Sequence, residues 1–151
     1  MTTEEACKAI HDVAIKELGV HEIAGAEANK RIVEYASHTS LKATSDEIAW
    51  CSSFTNFCVD KAGLIGTKSA AARSWLDWGV RADKPILGCI VVFERKDANN
   101  PNSAHVAICD HPDISNGIIR HIGGNQGSQG AVTVSRSPVA KVLDYRVPVV
   151  A

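Results

Sequence analysis

The sequence lacks several features that would assign it to a common class of protein. Its Lys and Arg residues are scattered and the net charge is −1, so no basic stripe can neutralise a row of phosphates. No apolar run reaches membrane-spanning length, and the N-terminal segment MTTEEACKAI has neither the basic nor the apolar region of a secretory signal. These absences argue against nucleic-acid binding and membrane insertion. They also predict that the chain is made and folds in the cytoplasm.

Paired cysteine motifs are lacking as well. The five cysteines are odd in number and have no framework spacing, which argues against a disulfide scaffold and is typical of a reducing compartment. CxxC pairs are absent, and Cys51 and Cys58 lie too far apart on one helix to share a zinc ion. Asp46 and Glu47 alone do not make a calcium loop. We therefore expect no metal or other cofactor, and at least one reactive thiol.

The apolar pattern changes its period near Pro85. Before it, helical spacing predicts four helices: one from a Thr2–Glu5 capping box to Gly19, a short one ending in the polar stretch 37–40, one starting near Cys51, and one capped by Ser69. After it, five β-rich runs predict an antiparallel sheet: ILGCIVVF, HVAICD, GIIRHIG, AVTVSR and KVLDYRV. Helices followed by strands, without alternation, predict α+β architecture. The length predicts a single domain over residues 1–151, with N-terminal helices packed on a C-terminal sheet.

Cys51 is the cysteine whose predicted setting would activate a thiol. A thiol attacks a carbonyl as the thiolate, and the start of a helix stabilises that anion through its dipole and its unpaired N–H groups. Cys58 lies two turns further along, among apolar residues. The remaining three are interpreted as core or surface residues because nothing near them would activate a thiol: Cys7, Cys89 and Cys109.

A cysteine nucleophile needs a base, and His105 is the best placed of the six histidines. It opens the apolar strand VAIC after a polar loop, where the sheet would hold its ring rigidly. His121 lies inside the strand IIRHIGG and could reach the same face, so it is the second choice. The other four are expected at the surface or in turns: His11, His21, His38 and His111.

Asn125 follows two glycines at the end of the strand that contains His121. A side-chain oxygen at this position could accept the imidazole N–H of the base and fix its tautomer. By itself, the sequence Gly-Gly-Asn is only typical of a turn.

Six blocks of sequence follow one another in a characteristic order: AWCSSFTNFC, GTKSAAARSWLDWG, GCIVVF, AHVAI, GGNQG and VLDYRVP. Together they resemble a phage and bacterial, endolysin-type subfamily of the CHAP and NlpC-like cysteine peptidoglycan hydrolases, over nearly the whole chain. The resemblance implies a papain-like fold and a triad of Cys51, His105 and Asn125. Gly88-Cys89 stands where the usual Gly-Asp precedes the central strand, and Gly123 where some members have an acidic residue. Asn125, rather than a carboxylate, is therefore expected to orient His105.

The resemblance also implies a function: cleavage of an amide bond in bacterial peptidoglycan by a monomeric, cofactor-free amidase or endopeptidase through a thioester. Trp50 and Trp75 would then line the substrate groove, or pack in the core, and Arg73 would meet a peptide-stem carboxylate, or be a solvated charge. Because no export signal is visible, the protein would reach the wall after release, through a holin pore or a secretion device. The alternative is a catalytically inactive wall-binding or phage structural domain of the same fold.

Overall fold

Helices come first in the chain and strands afterwards. The computed structural model describes residues 1–21, 30–39, 50–95, 104–111, 116–126 and 130–150. Within these ranges lie the helices α1 (Thr3–Lys16), α2 (Lys30–Ser37) and α3 (Cys51–Lys61), and 3₁₀ helices at Ala72–Asp77 and Val139–Lys141. The strands are β1 (Val80–Ala82), β2 (Ile90–Glu94), β3 (Ala104–His111), β4 (Ile118–Gln126), β5 (Ala131–Pro138) and β6 (Val142–Val147). The predicted α+β class is confirmed. Asp46 and Glu47 lie outside the described residues.

The strands form one antiparallel sheet in the order β1-β6-β2-β3-β4-β5. Strands β2 to β5 make the expected meander, whereas β6 returns to pair with β2 on the other side. Strand β1, which the sequence pattern did not predict, is only three residues long and pairs with β6. Alternate residues of β2 belong to different apolar clusters, Ile90 and Val92 with α3, and Val91 and Phe93 with Cys7 of α1. The sheet is therefore buried on both faces at its centre.

The helix termini follow the sequence signals closely. The capping box is present, with Thr2 Oγ1 accepting from the Glu5 N–H at 3.1 Å and Glu5 Oε1 accepting from the Thr2 N–H at 3.0 Å. Helix α1 ends at Lys16, shortly before Gly19. Helix α3 begins at Cys51, as predicted, and ends at Lys61. None of the described helices is both long and apolar enough to cross a membrane.

The predicted fourth helix is instead a 3₁₀ helix over Ala72–Asp77. Ser69 does cap the approach to it, since its Oγ accepts from the Ala71 N–H at 3.1 Å. A 3₁₀ helix has three residues per turn, which places residues three apart on the same side. Trp78 directly follows this helix; its N–H donates to the Trp75 carbonyl at 3.2 Å, and the two tryptophan rings contact each other at a centroid distance of 5.0 Å.

His11 and His38, expected at the surface, each have a carboxylate partner. His11 is buried, and its Nε2 lies 2.7 Å from Asp110 Oδ1; Asp110 Oδ2 in turn accepts from Arg120 Nε at 2.6 Å. His38 Nδ1 lies 2.7 Å from an oxygen of Asp60. The solvated-surface expectation was wrong for His11, whose pairing ties α1 to the sheet.

The start of α3 lies directly against β4, and Gly124 permits this approach. A Cβ built on Gly124 would be 2.6 Å from two ring carbons of Trp50 and 2.7 Å from the Cβ of Phe54. Real carbon atoms do not approach so closely, so a side chain there would push the helix and the strand apart. Because Gly124 has no side chain, the start of α3 can pack closely on β4, and this packing positions Cys51.

We expect Gly124→Ala to lower the free energy of unfolding by about 2–3 kcal/mol, as overpacking of a filled core does. Gly19→Ala is the matched control, because a Cβ at Gly19 meets nothing within 4 Å and only its φ of +95° opposes a side chain. Gly19→Ala should lower the free energy of unfolding by about 1 kcal/mol. Urea unfolding of both variants measures the two costs, and equal losses would contradict the packing argument.

Candidate active site

Cys51 is the first residue of α3, with Trp50 as the N-cap residue. Helical hydrogen bonding begins at once, since the Phe54 N–H donates to the Trp50 carbonyl at 2.9 Å. The first N–H groups of a helix have no partner within it, and the helix dipole adds partial positive charge there. The side chain of Cys51 is 7% exposed, whereas the other four cysteines are fully buried. Cys51 is thus the thiol that a reagent or substrate can reach.

The Cys51 thiol is hydrogen-bonded to the imidazole of His105. Burial acts to raise the pKa of Cys51, but the hydrogen bond and the charge of His105, with smaller help from the Val106 backbone and Arg95, hold that pKa below its usual value. Burial likewise acts to lower the pKa of His105, yet its contacts with Cys51 and Gln126 leave it raised. These opposite directions favour a thiolate–imidazolium pair.

Three of the other thiols are buried and have raised pKa values. Burial raises the pKa of Cys7 to about 12 and that of Cys58 well above its usual value. The pKa of Cys89 is also strongly raised, first by its hydrogen bond with Cys109 and then by burial. A high pKa leaves the thiol protonated and unreactive. The pairing with His105 therefore distinguishes Cys51 from these three.

The second nitrogen of His105 contacts Gln126, not the predicted Asn125. His105 Nε2 lies 2.8 Å from Gln126 Oε1. The ladder between β4 and β5 shifts register between Gly123 and Gln126, and Asn125 has a left-handed φ of 59°. A bulge of this kind re-aims the side chains that follow it. It therefore explains why Gln126, and not its neighbour, carries the contact that we expected of Asn125.

The amide of Gln126 is held in one orientation by β5. Its Nε2 donates to the Thr133 carbonyl at 2.9 Å and to the hydroxyls of Thr133 and Ser135 at 3.1 Å each. A carbonyl only accepts, so the amide nitrogen must face β5 and Oε1 must face His105. His105 Nε2 is then the donor in their hydrogen bond. The nitrogen left for Cys51 is Nδ1.

His121, the second choice as base, is a buried residue on the same side of the sheet as His105. Its Nε2 lies 2.9 Å from Ser137 Oγ, and its ring packs at 4.7 Å from the ring of Phe93. Burial first, and then the charge of His105, lower the pKa of His121 to about 4. His121 is therefore neutral at neutral pH. Its ring centroid is 6.1 Å from that of His105.

A cavity of about 270 Å³ opens beside this group of residues. Strand residues and one residue that directly follows β2 form its lining: Arg95, His105, His121, Asn125, Gln126, Ser135 and Ser137. Asn125 is thus at the site, although its predicted contact with His105 is absent. Every described lining side chain is polar, and none of them is acidic.

The predicted substrate-binding residues lie elsewhere. Trp75 is fully buried, and its Nε1 donates to Ser52 Oγ at 2.9 Å. Trp50 is 2% exposed and packs against Tyr35 and Gly124. The groove interpretation is therefore corrected to core packing for both tryptophans. Arg73 is half-buried on the 3₁₀ helix and does not line the cavity, so its carboxylate contact stays a prediction.

Comparison with known proteins identifies the fold. No family model and no curated protein matches the sequence. A solved structure of a lipoprotein-like protein of the NLP/P60 family, from Staphylococcus aureus subsp. aureus Mu50, is similar with a TM-score of 0.54 and 16% sequence identity. The similarity covers 97% of this chain but only 43% of that protein, so the chain spans less than half its length. The predicted papain-like α+β fold is confirmed by this likeness.

We expect Gln126→Ala to slow alkylation of Cys51 by iodoacetamide about tenfold at neutral pH, because loss of one charge-stabilising hydrogen bond moves a pKa by about one unit. Asn125→Gly, which keeps the left-handed backbone, should change the rate little. Mass spectrometry of the labelled peptide measures both rates. A larger loss in Asn125→Gly would return the orienting role to that residue.

The pH dependence of alkylation tests the thiol–imidazole pair itself. In the native protein, alkylation of Cys51 should begin at a pH below that of an ordinary thiol, because His105 lowers its pKa. In His105→Ala only burial remains as a large effect, and burial raises a thiol pKa, so the profile should move to higher pH. An unchanged profile would show that His105 does not stabilise the thiolate.

Proposed function

We propose that this protein is a cysteine amidase or endopeptidase that cleaves an amide bond of bacterial peptidoglycan. The observation that carries the proposal is the hydrogen-bonded chain Cys51–His105–Gln126, in which a buried thiol has a lowered pKa and a half-buried imidazole a raised one. A nucleophile, a base and a residue that orients the base are the parts that acyl transfer through a thioester requires.

The reaction follows from these positions. The Cys51 thiolate attacks the amide carbon, and the backbone N–H of Cys51 at the helix start is available to stabilise the oxyanion. His105 then gives its Nδ1 proton to the leaving amine, and the C–N bond breaks to leave a thioester. Neutral His105 takes a proton from water, which attacks the thioester and releases the carboxylic acid. Gln126 keeps Nδ1 aimed at the sulfur throughout.

The substrate is proposed on two grounds. The fold is shared with a protein of the NLP/P60 family, and the six sequence blocks resemble CHAP and NlpC-like wall hydrolases of the endolysin type. We infer that residues 1–151 form one catalytic domain, active as a monomer. We also infer that it meets the wall after release from the cytoplasm of the producing cell.

Cys51→Ala should abolish the appearance of new amino groups from purified peptidoglycan while the protein keeps its unfolding midpoint. Mass spectrometry of the digested muropeptides shows which amide is cut. His105→Ala should lose more activity than His121→Ala, since only His105 contacts the thiol, and the opposite ranking would move the base to His121.

The inactive wall-binding domain predicts a different outcome. Such a domain would sediment with peptidoglycan and release no amine from it, and the substitution Cys51→Ala would change neither behaviour. Turnover that depends on the thiol excludes that alternative, and full activity of Cys51→Ala excludes the proposed mechanism.

A further inference from the structure

We propose that the cavity beside His105 is a subsite for a carboxylate group of the substrate, with Arg95 as its cationic partner. This inference rests on the proposed function only in naming the occupant as part of the substrate. The binding chemistry follows from the residues that line the cavity, and the mechanism described above uses only His105 and Gln126 among them.

Arg95 is placed at the catalytic end of the sheet by the register of β2 and β3. Phe93 of β2 pairs with His105, and Arg95 follows two residues later, directly after the strand ends at Glu94. Its side chain is exposed and lines the cavity. The charge of Arg95 is close enough to lower the pKa of both Cys51 and His105. Arg95 is therefore within electrostatic reach of the reacting atoms.

The other lining residues are suited to an anion. Among the described lining side chains none is acidic, and His121 is neutral at neutral pH because its pKa is lowered to about 4. Ser135 accepts from the amide of Gln126 through its oxygen, and Ser137 contacts His121, so the two hydroxyls lie along one wall. Hydroxyl groups and a guanidinium bind a carboxylate through hydrogen bonds, which Arg makes in bidentate form.

The cavity has a polar wall and enough room for a carboxylate. His121, which is 2% exposed, contributes to this wall a ring whose Nε2 is already paired with Ser137. The cavity volume of about 270 Å³ leaves room for more than a single water molecule.

The occupant is a carboxylate that flanks the scissile amide, since the cavity adjoins the base that serves the reacting carbon. The family resemblance had suggested Arg73 for such a contact, but Arg73 does not line the cavity. Arg95 would therefore select for substrates whose residue next to the cleaved bond carries a free acid, and against the corresponding amide.

Alkylation of Cys51 by a charged and a neutral reagent tests the subsite without any peptidoglycan. In both reactions the thiolate displaces iodide, and only iodoacetate carries a carboxylate. The ratio of the iodoacetate rate to the iodoacetamide rate cancels any change in the thiolate fraction. We expect Arg95→Gln to lower this ratio about three- to tenfold at low ionic strength, and less at high salt.

Arg136→Gln is the matched control, because Arg136 lies between Ser135 and Ser137 on β5 and its side chain points to the opposite face. It should leave the ratio unchanged. A ratio for Arg95→Gln equal to that of the native protein would overturn the proposal, and so would an equal fall in Arg136→Gln.

Cleavage of paired stem peptides provides the second arm of the test. The two peptides differ only in a free carboxylate or a carboxamide on the residue that flanks the cleaved amide. Arg95→Gln should lower kcat/KM about tenfold for the acid and little for the amide. An equal loss on both peptides would overturn the subsite. If the native protein cleaves neither peptide nor peptidoglycan, the proposed function fails, while the alkylation ratio still decides whether the cavity binds a carboxylate.

Discussion

The hydrogen bond between Cys51 and His105 is the interaction on which the rest of the site depends. Each of these side chains is buried enough that its charged form alone would be unfavourable, and burial is the largest effect on the pKa of both. The charges become favourable only together, as a pair whose attraction is strengthened by the low local dielectric. Such a pair tolerates little displacement. Helix α3 and strand β3 must therefore hold their positions closely, and the tight packing of Trp50 and Phe54 against Gly124 serves that requirement.

Gln126, the third member of the hydrogen-bonded chain that begins with Cys51 and His105, is an amide, and its neutrality affects the charge balance at the site. A carboxylate beside His105 would add a negative charge near the thiolate and favour the imidazolium more strongly. Gln126 orients the His105 ring by accepting one hydrogen bond, and it can do so because Thr133 and Ser135 fix its amide. As a neutral amide, it adds no net charge. Among the described residues that line the cavity, Arg95 carries a permanent positive charge, whereas His105 is charged only while it is protonated. The orientation of the base and the electrostatic field at the site are thus supplied by separate residues.

Local signals in the sequence predicted the helix and the strand that carry Cys51 and His105. Features that depend on tertiary packing were not predicted. Helical apolar spacing in the segment after Trp50 placed Cys51 at a helix start, and the change of period near Pro85 placed His105 at a strand start. The β-bulge before Gln126 left no signal that distinguishes it from an ordinary Gly-Gly-Asn turn, so the contact was assigned to Asn125. Trp75 is buried in the core with its indole N–H bonded to Ser52, a partner 23 residues away that a local pattern cannot reveal. A strand as short as β1 has no period of its own to detect.

The position of His121 shows how one buried ring can support a cationic site without becoming its base. Placed 6.1 Å from His105, a second imidazolium would repel the first and weaken the thiolate pair. Burial against Phe93 prevents this, because it keeps the pKa of His121 at about 4 and the ring uncharged. His121 can then offer hydrogen bonds to the cavity wall while the positive charge near the sulfur stays on His105. The burial that keeps His121 neutral therefore preserves the thiolate–imidazolium pair of Cys51 and His105.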